Sequence, residues 1–206
     1  MLKKTFENLL LQYCTNDALI NEYWVEIEKK YSTKNRYYHT LQHLENLLLE
    51  LNLVKDKIEH WNVVLFSLFY HDIVYNCFKT NNEEKSASLV VKRLQQLEVS
   101  AQDIGWCVQH ILATKNHQIS SNNDVNFFTD ADLSVLGKSW NIYEDYFICV
   151  RKEYIIYPTF IYNKGRKKVL QHFLNMKKIY KTDFFFDTYE KQARINLQRE
   201  LEILNQ

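Results

Sequence analysis

Glycine occurs three times and proline once in 206 residues. These residues punctuate tight turns, bulges and strand edges, so their scarcity argues for long helices joined by short polar loops. Charge of one sign is missing too: 26 lysines and arginines face 25 aspartates and glutamates. The net balance therefore offers no reason to expect a nucleic acid or a membrane as partner. No segment approaches the ~20 uninterrupted apolar residues that a membrane span needs. The opening MLKKTFENLLLQYCTNDALI is basic and then amphipathic, but Glu7, Gln12 and Asn16 interrupt it and no small-residue cleavage site follows. Cysteine is sparse and scattered (Cys14, Cys77, Cys107, Cys149), without a C-x-x-C pair or a dense disulfide framework. Reduced thiols and a cytoplasmic location are expected.

What is present is an ordinary globular composition, 46% hydrophobic and 25% charged, and a length that fits one domain covering residues 1–206. Apolar residues recur at helical spacing over about 4–30, 39–54, 60–72, 84–98, 101–116, 139–156 and 165–205, which predicts an all-α fold. Polar clusters at Ser32-Thr33, Thr80-Asn81-Asn82 and Ser120 to Asp124 read as loops and N-caps. Phe127-Phe128 and Phe184-Phe185-Phe186 are the places where a short extended segment is least improbable.

Chemistry-bearing side chains collect along these helices. His39 and His43, four apart, would project from one helical face, with Leu44, Leu47 and Leu48 holding that face against the core. The apolar run Trp61 to Tyr70 ends in His71-Asp72, setting a nitrogen and a carboxylate side by side where the chain leaves the core. A buried carboxylate needs a cation or strong hydrogen bonds, and a metal ion would supply the first. Asp130 and Asp132 follow two aromatics, and His110 and His117 are seven apart, two helical turns on one face.

The order His, His-Asp, distant Asp resembles the HD superfamily of metal-dependent phosphohydrolases. Tyr38 to His43 and Ala131-Asp132-Leu133-Ser134 are similar to motifs of cyclic nucleotide phosphodiesterases, which share the HD fold. A bacterial group of predicted HD phosphohydrolases resembles the chain over nearly its whole length. The matching stretches are Arg36 to His39, His71 to Tyr75, Asn82 to Ala87, Thr114 to His117, Asp132 to Gly137, Arg151 to Tyr154 and Ala193 to Leu197.

The resemblance implies an HD-domain helical bundle with a metal site between core helices. It makes His43, His71, Asp72 and Asp132 the ligands, with His117 as an additional one, and His110 either a further ligand or a core histidine. The cofactor would be one or two divalent ions (Mn²⁺, Mg²⁺, Fe²⁺ or Zn²⁺). His39 would be the general acid or an orienting residue. Glu83 and Glu84 would direct the water, or simply occupy a helix N-terminus that favours carboxylates. Arg36, Lys115 and Arg151 would hold phosphate oxygens, with Arg166 and Arg194 as weaker candidates. Asp130 reads as a cap for the helix that follows, and Arg151 and Glu153 alternatively as ion-pair partners of Glu190 and Arg194. The expected activity is hydrolysis of a small phosphorylated, nucleotide-like substrate, with Tyr37, Tyr75, Phe78 and Tyr154 offering stacking surfaces. The rival readings are a nucleotide-sensing protein without turnover and a di-iron oxygenase. No nucleic-acid or membrane partner is expected, and self-association into a homo-oligomer is left open.

Overall fold

A computed structural model describes all residues, Met1 to Gln206. The chain is all-helical, with ten α-helices and no strand. It forms two compact units, Met1–Thr129 and Asp130–Gln206.

The first unit holds α1 (Leu2–Leu10), α2 (Asp17–Tyr31), α3 (Leu41–Asn52), α4 (Trp61–Tyr70), α5 (Asn82–Gln96), α6 (Ala101–Ala113) and most of α7 (Asn123–Asp132). Helix α1 buries Leu2, Phe6, Leu9 and Leu10, a single stripe at helical spacing. It stops short of α2 because the Asn16 side chain accepts from the backbone N–H groups of Ala18 and Leu19, capping a new helix. The expected single helix over residues 4–30 is therefore two. Helix α4 buries every residue from Val63 to Tyr70 and packs on α1, α3, α5 and α6. An element apolar on all sides has to lie at the centre of its unit. Phe6 meets Phe69 edge-on at 4.9 Å, and the Tyr31 hydroxyl donates to the Phe69 carbonyl at 3.2 Å.

The second unit contains a 3₁₀ turn (Leu133–Gly137), α8 (Trp140–Glu153), α9 (Thr159–Asn175) and α10 (Asp183–Ile203). Arg166 forks onto Glu200 at 2.7 and 2.9 Å, and the Tyr143 hydroxyl bonds the same carboxylate, all three groups buried. Arg166 is thus committed to a core ion pair. The expected continuous helix over 165–205 breaks at Met176, where the backbone turns extended. Arg194 donates to the carbonyls of Leu174 and Met176, while Glu190 accepts from the N–H groups of Ile179 and Tyr180. This pair, four residues apart on α10, satisfies the backbone groups that the break exposes. The two aromatic clusters where a short extended segment was least improbable are helical, Phe127-Phe128 in α7 and Phe184 to Phe186 in α10. No helix is long and apolar enough to cross a membrane.

Candidate metal centre

Three donor atoms of the first unit converge where α4 ends. His71 is the residue that closes α4, and His43 lies in the first turn of α3, held inward by buried Leu44, Leu47 and Leu48. The Nε2 atoms of the two imidazoles face each other at 3.1 Å, and both side chains are buried. Asp72 Oδ2 lies 3.1 Å from His71 Nε2 and 3.9 Å from His43 Nε2. A triangle with these edges has a circumscribed radius of about 2.0 Å, which is the distance at which imidazole and carboxylate bind a divalent transition metal. The donor set therefore fits a cation placed near its centre.

Protonation supports the same fit. His71 Nδ1 lies 3.0 Å from the Leu68 carbonyl oxygen, which can only accept, so the Nδ1–H donates there and Nε2 carries the lone pair. Burial by itself would push the Asp72 carboxyl up. When protonated, the imidazoles of His71, His39 and His43 outweigh that and hold it well below the usual carboxylate range. The group is an anion waiting for positive charge.

His39 also reaches Asp72, with Nε2 3.9 Å from Oδ2. It does so from outside a helix: α3 begins at Leu41 behind Thr40, so the expected one-face helical pairing of His39 with His43 does not occur. Instead the ring stacks on Tyr75 at 4.3 Å, and the Arg36 Nη1 donates to the His39 carbonyl at 3.1 Å. Arg36 Nη2 donates to the Ile73 carbonyl at 3.0 Å, and the guanidinium lies over the Tyr31 ring at 4.7 Å. Arg36 is buried; its donors join the segment that carries His39 to the loop that follows Asp72.

That loop is fixed by residues of the Asn82 to Ala87 stretch. Asn82 exchanges two hydrogen bonds with the backbone of Asn76, and the Ser86 hydroxyl accepts from the Val74 N–H at 3.1 Å. Between them, Glu83 and Glu84 occupy the first turn of α5. Lys115 bonds Glu84 and donates to the Thr80 carbonyl at 2.8 Å, with Glu83 at 3.9 Å. The Lys115 bond holds the Glu84 carboxyl below its usual range.

His110 and His117 do not share a helical face, because α6 ends at Ala113. His117 follows in the left-handed region at φ 51°, its N–H donating to the Ala113 carbonyl at 2.9 Å. A residue with a Cβ is strained there by ~1 kcal/mol or more. His110 is fully buried, with Nδ1 2.9 Å from Ser67 Oγ and no partner on Nε2. Its ring lies beside Phe128.

The remaining assigned residues sit in the second unit. Asp132 is the last residue of α7. Asp130 does not cap the helix that follows it; it binds the backbone just ahead of α10. Its carboxylate accepts from the N–H groups of Lys181 and Thr182 and from the Thr182 hydroxyl at 2.8 to 3.0 Å. Burial raises the Asp130 carboxyl and lowers the Lys181 ammonium, which face each other at 3.2 Å. Arg151 donates to the carbonyls of Tyr154 and Tyr157. Arg194 pairs with Glu190 on its own helix; the sequence reading had set these two against Arg151 and Glu153. Sequence reasoning missed the Leu68 carbonyl, which has no side-chain signature; Tyr75, read as a stacking surface for substrate, stacks on His39.

No protein-family model matches the chain, and neither a curated protein nor a solved structure matches it.

Proposed function

We propose that this chain is a metal-dependent phosphohydrolase acting on a small, phosphorylated, nucleotide-like molecule. The observation that carries the reading is the 2.0 Å-radius triangle of His43, His71 and Asp72, with His71 turned by Leu68 so that its lone pair faces inward. To this set the sequence pattern would add Asp132 and His117. A divalent cation bound there would act as a Lewis acid on phosphate oxygen and lower the pKa of water.

The chain's own residues do the rest. Asp72 supplies the negative charge that would draw a cation to the buried imidazoles of His43 and His71. His39, anchored through its carbonyl by Arg36 and stacked on Tyr75, presents Nε2 to donate a proton to the leaving oxygen as the P–O bond breaks and water oxygen bonds to phosphorus. Glu83, in the first turn of α5, would orient that water, while Lys115 holds Glu84. Exposed Tyr37 and Phe78, two residues before His39 and six after Asp72, offer rings for a nucleobase.

The test measures metal content and phosphate release together. The wild-type chain is expected to retain about one equivalent of Mn²⁺ or Zn²⁺ after gel filtration and to release phosphate from a nucleotide panel. His71→Ala and Asp72→Ala should lose both, whereas His39→Asn should keep the metal and lose most turnover. A saturated wild-type sample that retains no metal overturns the reading.

A further inference from the structure

The chain from Tyr154 to Thr182 contains seven lysines and arginines and no acidic residue. Two of the seven, Arg166 and Lys181, are withdrawn into buried ion pairs. Lys177 and Lys178 lie past the far end of α9, whereas Lys164, Lys167 and Lys168 are in the half of α9 that follows large exposed apolar side chains: Ile155 (71%), Ile156 (61%), Phe160 (74%) and Ile161 (45%). An apolar cluster of this kind, rimmed by one sign of charge, marks an interaction surface.

The cluster is held outward by design of the backbone. Helix α8 ends at Glu153 and α9 starts at Thr159 behind Pro158, leaving a short connection. Arg151 ties it from within, donating to the Tyr154 carbonyl at 2.8 Å and the Tyr157 carbonyl at 3.1 Å while its guanidinium lies 4.7 Å over the Tyr162 ring. With the carbonyls drawn inward, Ile155 and Ile156 stay in solvent. Phe160, Lys164 and Lys168 follow at four-residue intervals, so one ridge of α9 runs from ring to cation to cation. Lys152 is exposed on the other side of the connection, and neighbouring Glu153 is buried. The nearest other acids on α8, Glu144 and Asp145, lie about 12 Å or more up that helix by its rise per residue.

We propose that this α8–α9 corner is a docking surface for an anionic lipid bilayer, on which the chain lies without spanning. Aliphatic Ile155, Ile156 and Ile161 match hydrocarbon and give a nucleic acid nothing to stack on, whereas lysines around an apolar tip match anionic headgroups. A second copy of the chain is the poorer occupant, because a two-fold interface would press this lysine-rich rim against itself. The near-zero net charge of the whole chain conceals the local excess. The inference is independent of the phosphohydrolase reading.

The experiment is flotation of the full chain with vesicles of phosphatidylcholine alone or with about one-quarter phosphatidylserine. Binding is expected to the anionic vesicles and to weaken with salt. Lys164→Gln and Lys168→Gln should each reduce partitioning about fivefold, and Ile156→Ser or Phe160→Ser about tenfold. All four side chains are solvent-facing, so helical circular dichroism and metal content should be unchanged in every variant. Any of four results overturns the proposal: no binding to either vesicle; equal binding to both; a dimer in light scattering that Phe160→Ser dissociates while vesicles bind nothing; or binding to polyuridine that outcompetes vesicles.

Discussion

Ser67 has one hydroxyl proton and two close neighbours that could take it, the Val63 carbonyl at 2.8 Å and His110 Nδ1 at 2.9 Å, with Cys107 Sγ farther off at 3.4 Å. A carbonyl can only accept, so both contacts are satisfied when Ser67 donates to Val63 and a neutral His110 donates its Nδ1–H to Ser67. Burial pushes the His110 pKa down to about 4 against the pull of Asp124. The unfolded chain takes its proton near 6.5. Above that pH the imidazole is neutral in both states and costs nothing. As pH falls from 6.5 towards 4 the unfolded state is protonated first, and stability drops by up to ~3 kcal/mol from this residue. Urea titrations at pH 7 and pH 4 should therefore show a smaller loss for His110→Gln than for the wild type; parallel losses would remove His110 as the source. His110 was legible as a core or ligand histidine, but its tautomer was not. That depends on Ser67, 43 residues away in the chain.

Among the elements, α10 makes the tightest approach in the second unit. A Cβ added to Gly137 would stand 2.4 Å from Tyr189 Cβ and 2.7 Å from its carbonyl oxygen. The Asn196 side chain reinforces the contact, donating at 2.8 Å to the carbonyls of Leu136 and Lys138. Two stretches noted as family-like, Asp132 to Gly137 and Ala193 to Leu197, thus meet in space and are explained by packing. Gly137→Ala should cost ~1–3 kcal/mol because the obstacle is partly backbone and cannot rotate away. Gly105→Ala, in the interior of α6 with nothing within 4 Å, should instead stabilise by ~0.5–1 kcal/mol. Thermal melts of the two variants check the contrast. Helix type followed from periodicity, but helix ends did not. The α9–α10 break depends on Arg194 and Glu190 reaching back to the connecting backbone, and His39 left its expected helix because Arg36 and Tyr75 hold it elsewhere. Neither cause is local in sequence.

For the molecule as a whole, a cation that binds only the folded chain must raise its stability, by ~3–4 kcal/mol at 100 to 1,000 times its dissociation constant. Added Mn²⁺ or Zn²⁺ should raise the wild-type melting temperature, EDTA should reverse the rise, and His71→Ala should show neither effect. Equal shifts in wild type and His71→Ala would place the ion elsewhere. The all-helical class, the central position of the Trp61–Tyr70 helix and the identity of His43, His71 and Asp72 as candidates were determined by the sequence alone. Each follows from residue type and spacing within a few turns of chain. The 3.1 Å approach of His43 to His71, the tautomer of His71, the division into two compact units and the exposed α8–α9 corner were decided only by the tertiary structure. These features depend on which groups meet across long stretches of chain, and on which apolar residues are left without a neighbour once the cores are filled.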